Sequence, residues 1–272
     1  MNKAQLIQGI QKKDSLLCVG LDTDINRVPD FIKRDYENPV LEFNRRIIEA
    51  TQEHCVAYKF NIAFYEALGA KGWNTLGDSL ALIPDHIFTI ADAKRGDIGN
   101  TSSLYARTFF ETYDFDSLTV SPYMGSDSLE PFYGYTDKWI IILGLTSNKG
   151  SRDVQMQPLA DGRKVYEETI RRSAQYGDSD NTMFVVGATK SEYLKRIREI
   201  VPYHFFLMPG IGKQGGDLDS SIRDGLNKDY GLLINSSRGV IYADDSESFD
   251  ITAGRVCRDL NQDMRTCLRK YH

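Results

Sequence analysis

The chain has 272 residues, of which 41% are hydrophobic and 26% are charged, and its formal net charge at pH 7 is -5. A chain of this size buries one sizeable core, as one α/β barrel or as two small domains. The mild acidic excess argues against a nucleic-acid-binding protein, since such proteins usually carry a basic face. No secretory signal pattern is visible, and no apolar run is long enough to span a bilayer. We therefore expect a cytoplasmic protein with no nucleic-acid or membrane partner.

The cysteines lie far apart in the sequence, at Cys18, Cys55, Cys257 and Cys267. None forms a Cys-x-x-Cys pair, so their spacing indicates neither a zinc site nor a disulfide framework. We expect reduced thiols and no metal.

Short runs of apolar and β-branched residues alternate with helical patterns along the chain. Uninterrupted apolar runs of this kind are typical of parallel strands buried on both faces. Eight such strand-then-helix units predict an α/β fold, a single (β/α)8 TIM barrel with residues 1–272 as one domain. An open doubly wound sheet is the alternative, but its Gly-x-Gly-x-x-Gly fingerprint is absent from the first turn, residues 19–22. The runs are 16–20, 57–62, 87–93, 117–120, 139–145, 183–186, 205–208 and 232–234.

Charged residues cluster where the second and third runs end, and in a barrel the carboxyl ends of the strands carry the functional residues. Lys59 and Asn61 are two residues apart, as are Asp92 and Lys94, so each pair points to one side of its strand. Asp97 follows shortly after. Because charged side chains are rarely buried unless they are paired, this set predicts a catalytic site, with Asn61 as a candidate substrate contact. A structural salt bridge that caps the barrel is the alternative.

The ends of the seventh and eighth runs predict a phosphate-binding site. Glycines let the backbone approach an anion closely, and Gln214 and Arg238 supply side-chain donors. Phosphate sites built from the loops after strands seven and eight recur in this fold. The candidate loop glycines are Gly212, Gly215 and Gly216.

Three segments together resemble a known family. Residues 92–101, D-A-K-R-G-D-I-G-N-T, resemble the D-x-K-x-x-D-I signature of the orotidine 5'-phosphate decarboxylases, in the version of their longer bacterial (type 2) form. Residues 209–217 resemble the phosphate loop of that family, and residues 146–148 its pyrimidine-contact turn. The resemblance extends from Gly20 to Arg238. One position departs from it, because Ser237 precedes Arg238 where many relatives have glycine.

The resemblance implies decarboxylation of orotidine 5'-phosphate to UMP and carbon dioxide, the last step of de novo UMP biosynthesis. The family works without a cofactor, as a homodimer with shared active sites. Lys94 would donate the proton to C6, and Asp92 would lie against the substrate carboxylate. The implied contacts are Asp22 and Lys59 at the ribose, Ser147 at the pyrimidine amide, Gln214 and Arg238 at the phosphate, and Asp97, Ile98 and Thr101 in the neighbouring subunit's site.

Two other functions remain open. A magnesium-dependent sugar-phosphate decarboxylase or aldolase of the same suprafamily shares D-x-K-x-x-D, but it needs an acidic metal ligand near the second strand. Lys59 and Asn61 are poor magnesium ligands. A non-catalytic phosphate-binding barrel is the second alternative, although a binding module has little need of four alternating charges. The polar connection at 147–162 is either a lid or a surface loop.

Overall fold

Eight parallel strands close into a barrel, and each strand pairs with the one before and the one after it in the sequence. The computed structural model describes residues 1–187, 191–210 and 218–272. Each predicted apolar run overlaps one strand, so the predicted (β/α)8 barrel is confirmed. The strands are β1 (Leu17–Gly20), β2 (Ala57–Asn61), β3 (Phe88–Arg95), β4 (Ser117–Val120), β5 (Trp139–Leu145), β6 (Thr182–Val186), β7 (Phe205–Pro209) and β8 (Leu232–Ser236).

Helices connect the strands, as expected for a barrel of this type. Among the helices of the described residues, none combines the length and the apolar character needed to cross a membrane. The α-helices are α1 (Lys3–Lys13), α2 (Asp30–Asp35), α3 (Pro39–Thr51), α4 (Ile62–Glu66), α5 (Ala70–Leu80), α6 (Gly99–Arg107), α7 (Ser126–Leu129), α8 (Ser151–Val154), α9 (Val165–Ser173), α10 (Ser191–Ile200), α11 (Leu218–Gly225), α12 (Arg238–Ile241) and α13 (Phe249–Tyr271).

Helix α3 illustrates how local sequence sets these elements. Asn38 caps it by accepting a hydrogen bond from the Leu41 N–H at 3.3 Å, and Pro39 occupies its first position. Its apolar face is buried, and the Phe43 ring stacks on Phe249 of α13 with a centroid distance of 4.8 Å. The Asn38 cap fixes where the helix begins, and the apolar face fixes which side of it packs on the rest of the protein.

Aromatic side chains fill the amino end of the barrel. Trp139 contacts Phe88 and Phe205 edge to face, with ring centroids 5.9 Å apart in both pairs. These residues begin β5, β3 and β7, which are not neighbours in the sheet, so the rings meet across the barrel interior. This apolar layer closes the amino end and leaves the carboxyl end for polar residues.

Candidate active site

A buried ammonium lies between two carboxylates at the carboxyl ends of β1, β2 and β3. Lys59 Nζ is 3.1 Å from an Asp22 carboxylate oxygen and 3.0 Å from Asp92 Oδ2, and Lys59 is only 4% exposed. Burial disfavours the charged form of Lys59, but Asp92 and Asp22 outweigh burial and raise its pKa above the ordinary value. Burial also opposes the Asp92 carboxylate, yet Lys59 and Lys94 lower the pKa of Asp92. Lys59 and Asp92 are therefore an ion pair at neutral pH.

Lys94 has a backbone conformation that residues with a side chain rarely adopt. Its φ is 50°, in the left-handed region. Such a conformation costs roughly 1–3 kcal/mol in a residue other than glycine. Its Nζ lies 2.6 Å from Asp92 Oδ1, while half of the side chain is exposed. A strained residue whose ammonium is held by a partly buried carboxylate is typical of a functional site.

A cavity of about 360 Å³ opens beside the Lys94 ammonium. Its volume is in the range of small-molecule sites. One side is charged, from β2 and β3, whereas the opposite side is apolar, from β5, β6 and β7. This division suits a flat ring that rests on the apolar side and reacts on the charged side. The lining residues are Lys59, Asp92, Lys94, Leu143, Thr146, Ser147, Asn148, Val185, Leu207, Pro209 and Asn235.

The turn that contains Ser147 is held from two sides. The Thr146 N–H donates to Gln155 Oε1, and Gln155 Nε2 donates back to Thr146 Oγ1, both at 2.8 Å. Gly187 packs so closely that a Cβ there would lie 2.6 Å from the Ser147 nitrogen. No motif or residue spacing indicated Gln155 or Gly187, because both contact the turn only once the chain has folded. Part of the connection at 147–162 is helical, as α8.

The residues that follow β3 are not among the described residues that line this cavity. The Asp97 carboxylate accepts a hydrogen bond from the Ile98 N–H at 2.8 Å, and the ion pair that Lys94 makes within the described part of this chain is with Asp92. Ile98 is 56% exposed, and Thr101 is exposed on α6. One chain therefore brings Lys59, Asp92 and Lys94 together but leaves Asp97, Ile98 and Thr101 on its surface.

Of the residues predicted to bind phosphate, only Arg238 lies within the described part of the chain. Arg238 is exposed and begins α12 directly after β8. Gly210, directly after β7, has a φ of 82°, which favours glycine. The other predicted members, Gln214, Gly212, Gly215 and Gly216, lie outside the described residues.

Ser237, the position that departs from the family pattern, packs against Gly20. A Cβ at residue 20 would lie 1.8 Å from Ser237 Oγ, so the serine fits because residue 20 is glycine. Asn235 Nδ2 donates to Ser237 Oγ at 3.2 Å, and Asn235 Oδ1 has no hydrogen-bond partner within the described residues. Asn235 also lines the cavity and was not predicted from the sequence.

Asp22 and Asn61 flank the cavity at the ends of β1 and β2. Asn61 lies in register with Asp92 on the neighbouring strand, but neither it nor Asp22 is among the described residues that line the cavity. Across residues 1–187, 191–210 and 218–272, no three His, Cys, Asp or Glu side chains are grouped closely enough to hold a metal ion.

Comparisons with known proteins agree with this arrangement. Residues 15–248 match the model of the "Orotidine 5'-phosphate decarboxylase / HUMPS family". The chain is 50% identical to an orotidine 5'-phosphate decarboxylase of Phocaeicola vulgatus, over 97% of this chain and 98% of that protein. Among solved structures, it resembles an OMP decarboxylase of Leishmania donovani with a TM-score of 0.82 and 38% identity, covering 98% of this chain and 99% of the other. An orotidine 5'-monophosphate decarboxylase of Plasmodium berghei matches with a TM-score of 0.82 and 26% identity, over 98% and 99% of the two chains. The chain therefore belongs to the orotidine 5'-phosphate decarboxylase / HUMPS family.

Proposed function

We propose that this protein decarboxylates orotidine 5'-phosphate to UMP and carbon dioxide, the last step of de novo UMP biosynthesis. One observation carries the proposal beyond family membership: the Lys94 ammonium, 2.6 Å from the partly buried Asp92 carboxylate, lines a cavity with an apolar wall. An ammonium fixed in this way supplies what the reaction needs, which is positive charge and a proton beside one carbon of the ring.

In the proposed reaction, the bond between C6 and the carboxylate breaks and its electron pair stays on C6. Carbon dioxide leaves, and Lys94 Nζ gives a proton to C6 to complete UMP. The developing negative charge forms next to a preorganised ammonium, so the protein does not have to reorganise at that moment. Asp92 holds and aims Lys94, and Lys59 keeps the Asp92 carboxylate in place from the other side at 3.0 Å.

The remaining predicted residues are assigned to substrate binding. Asp22 and Lys59 contact the ribose, Asn61 lies at the edge of the same site, and Ser147 contacts the pyrimidine amide. Gln214 and Arg238 bind the phosphate together with the backbone at Gly212, Gly215 and Gly216. The position of Arg238 at the end of β8 supports this assignment, since the carboxyl ends of the seventh and eighth strands form phosphate sites in this fold.

We also propose a homodimer in which Asp97, Ile98 and Thr101 of each chain complete the site of the other. The surface near these residues supports the proposal, because it exposes large apolar side chains. Ile98 is 56% exposed and Leu104 on α6 is 44% exposed. Such exposure is typical of a protein interface.

Two further predictions stay predictions: that residues 1–272 form one domain, and that the protein is cytoplasmic.

Steady-state assays test the proposal directly. Purified protein is mixed with orotidine 5'-phosphate, and the loss of orotate ultraviolet absorbance is followed with and without a chelator. We expect turnover that the chelator leaves unchanged. Turnover that disappears with the chelator and returns with magnesium would favour the metal-dependent relatives, and binding without turnover would favour a non-catalytic barrel. Light scattering during size-exclusion chromatography measures the oligomeric state.

A further inference from the structure

The ladder between β3 and β4 is interrupted opposite Thr119. Ala91 pairs with Leu118, but the next pair is Arg95 with Val120, so β3 advances further than β4 over this stretch. The intervening segment, which includes Lys94, therefore bulges out of the regular pairing. Extra residues in a bulge lose their usual ladder partners, and their backbone groups need other ones.

The Thr119 hydroxyl supplies the missing partner. The Lys94 N–H donates to Thr119 Oγ1 at 2.8 Å, and that hydroxyl donates to Asp92 Oδ1 at 3.1 Å. The direction is fixed, because an amide N–H can only donate and an ionised carboxylate can only accept. Asp92 Oδ1 also accepts from Lys94 Nζ at 2.6 Å. A closed loop of hydrogen bonds thus runs from the backbone of Lys94 to its own ammonium through one hydroxyl and one carboxylate.

We propose that Thr119 is a positioning residue for the reaction, an inference that rests on the proposed role of Lys94 as proton donor. Thr119 is fully buried and is not among the described residues that line the cavity, so it acts through Lys94 and Asp92. It holds the left-handed backbone at Lys94 and orients the carboxylate that aims the ammonium. Because half of the Lys94 side chain is exposed, it can adopt other rotamers when this loop of hydrogen bonds is broken.

The chain contains a matched control at the other end of β3. Thr89 Oγ1 accepts from the Asp116 N–H at 2.9 Å and donates to Asp116 Oδ2 at 3.0 Å. This hydroxyl also joins a backbone amide to a carboxylate, and it is also buried. Thr89 lies near the start of the strand, away from Lys94. Removing its hydroxyl therefore disturbs the same kind of bonds without touching the cavity.

The test compares Thr119→Val, Thr119→Ser and Thr89→Val. For each variant, kcat and KM for orotidine 5'-phosphate are measured, together with the rate at which the protein exchanges the C6 hydrogen of UMP for deuterium in D2O. In this exchange the C6–H electron pair stays on carbon, the proton moves to the Lys94 amine, and a deuteron returns. We expect Thr119→Val to lower kcat and the exchange rate about 10- to 100-fold, with KM changed less than about threefold. Thr119→Ser keeps both rates within about threefold, because it retains the hydroxyl.

For Thr89→Val we expect unchanged kcat and a lower melting temperature. A Thr119→Val protein with kcat within about twofold of the parent chain overturns the inference, and so does a Thr119→Ser protein as slow as Thr119→Val. If circular dichroism finds Thr119→Val unfolded, Thr119→Ala replaces it with the same criteria. If the parent chain decarboxylates the substrate and the Thr119 variants do so with the same kcat, only the role of Thr119 is refuted. A parent chain that does not decarboxylate the substrate refutes the proposed function, and the role of Thr119 with it.

Discussion

The two ends of the barrel hold buried charge in different ways. At the amino end, the Arg198 guanidinium donates to the backbone carbonyls of His204 at 2.6 Å and Gly231 at 3.2 Å, and lies 3.7 Å from the centre of the Phe206 ring. At the carboxyl end, Lys59 is paired with carboxylates instead. Backbone carbonyls cannot titrate or rotate away, whereas carboxylates can be shared with a second ammonium and aimed at a ligand. We therefore expect charge at the amino end to stabilise the chain, and charge at the carboxyl end to serve the proposed reaction.

The largest effect that would test this comparison is expected at Lys94. We expect Lys94→Ala to lower kcat for orotidine 5'-phosphate on the order of 10³-fold, because it removes the proposed proton donor. The melting temperature should change little, since the side chain is half exposed and its loss removes no packing contact from the core. Carbon dioxide release and thermal unfolding measure the two quantities. Lys71→Ala, an exposed lysine on α5, serves as the control. Near-normal carbon dioxide release by Lys94→Ala would refute the proton-donor role.

Arg198→Met should have the opposite effects: it should lower the stability of the fold and leave turnover unchanged. It leaves several buried carbonyls without a donor, and we expect the free energy of unfolding to fall by about 2–4 kcal/mol. Turnover of the folded fraction should stay at the level of the parent chain, because Arg198 lies at the amino end. Urea unfolding and kcat at the same temperature check both halves of this expectation. Arg196→Met on the same helix is the matched control, since Arg196 is 47% exposed and bonds to the carboxylates of Glu167 and Glu199 instead of to backbone carbonyls. Equal losses for the two variants would contradict the comparison.

Arg238→Ala sharpens the comparison within the carboxyl end. We expect KM for orotidine 5'-phosphate to rise about 10- to 100-fold, the value of charge-assisted hydrogen bonds to a phosphate. The unphosphorylated nucleoside, orotidine, should be used equally poorly by the variant and the parent chain. The measurement is kcat/KM on both substrates. An equal loss on the unphosphorylated nucleoside would count against the phosphate role of Arg238.

The sequence was most informative where one pattern repeats or two charges share a strand. Each apolar run carried its own strand signal, and Lys59, Asp92 and Lys94 meet because residues two apart on a strand face one side. The family assignment is confirmed as well, since ten consecutive residues from Asp92 form a long and specific motif. The roles of the individual site residues stay predictions.

Other features were invisible because they depend on contacts between strands. Thr119 reaches Lys94 only because β3 bulges, and an interruption of this kind leaves no periodic trace. The positive φ of Lys94 could not be expected either, because lysine is not a residue that favours it. Arg198 bonds to backbone carbonyls, which carry no side-chain signal. Sequence reasoning therefore named the charged residues Lys59, Asp92 and Lys94 that line the cavity, and it missed the residues that hold them in place.

The smallest expected effect concerns His204, which lies beside Arg198 at the amino end. Both of its ring nitrogens are buried without a hydrogen-bond partner within the described residues. Burial, helped by Arg198 and Lys3, lowers the pKa of His204 from 6.5 to about 4. Between these two pH values the unfolded chain binds a proton that the folded chain does not, so stability is complete above pH 6.5 and falls as the pH falls toward 4.

His204→Phe should remove this dependence, because phenylalanine does not titrate and can keep the ring contact with Phe184. We expect the parent chain to lose about 1–2 kcal/mol of unfolding free energy relative to the variant on going from neutral pH to about 5. Urea unfolding of both proteins at several pH values in this window measures that difference. Parallel stability curves would mean that His204 is protonated in the folded state or open to solvent. A parent chain that loses stability more steeply than the variant would place one source of acid sensitivity at the amino end, because the proposed site residues of the carboxyl end are the same in both proteins.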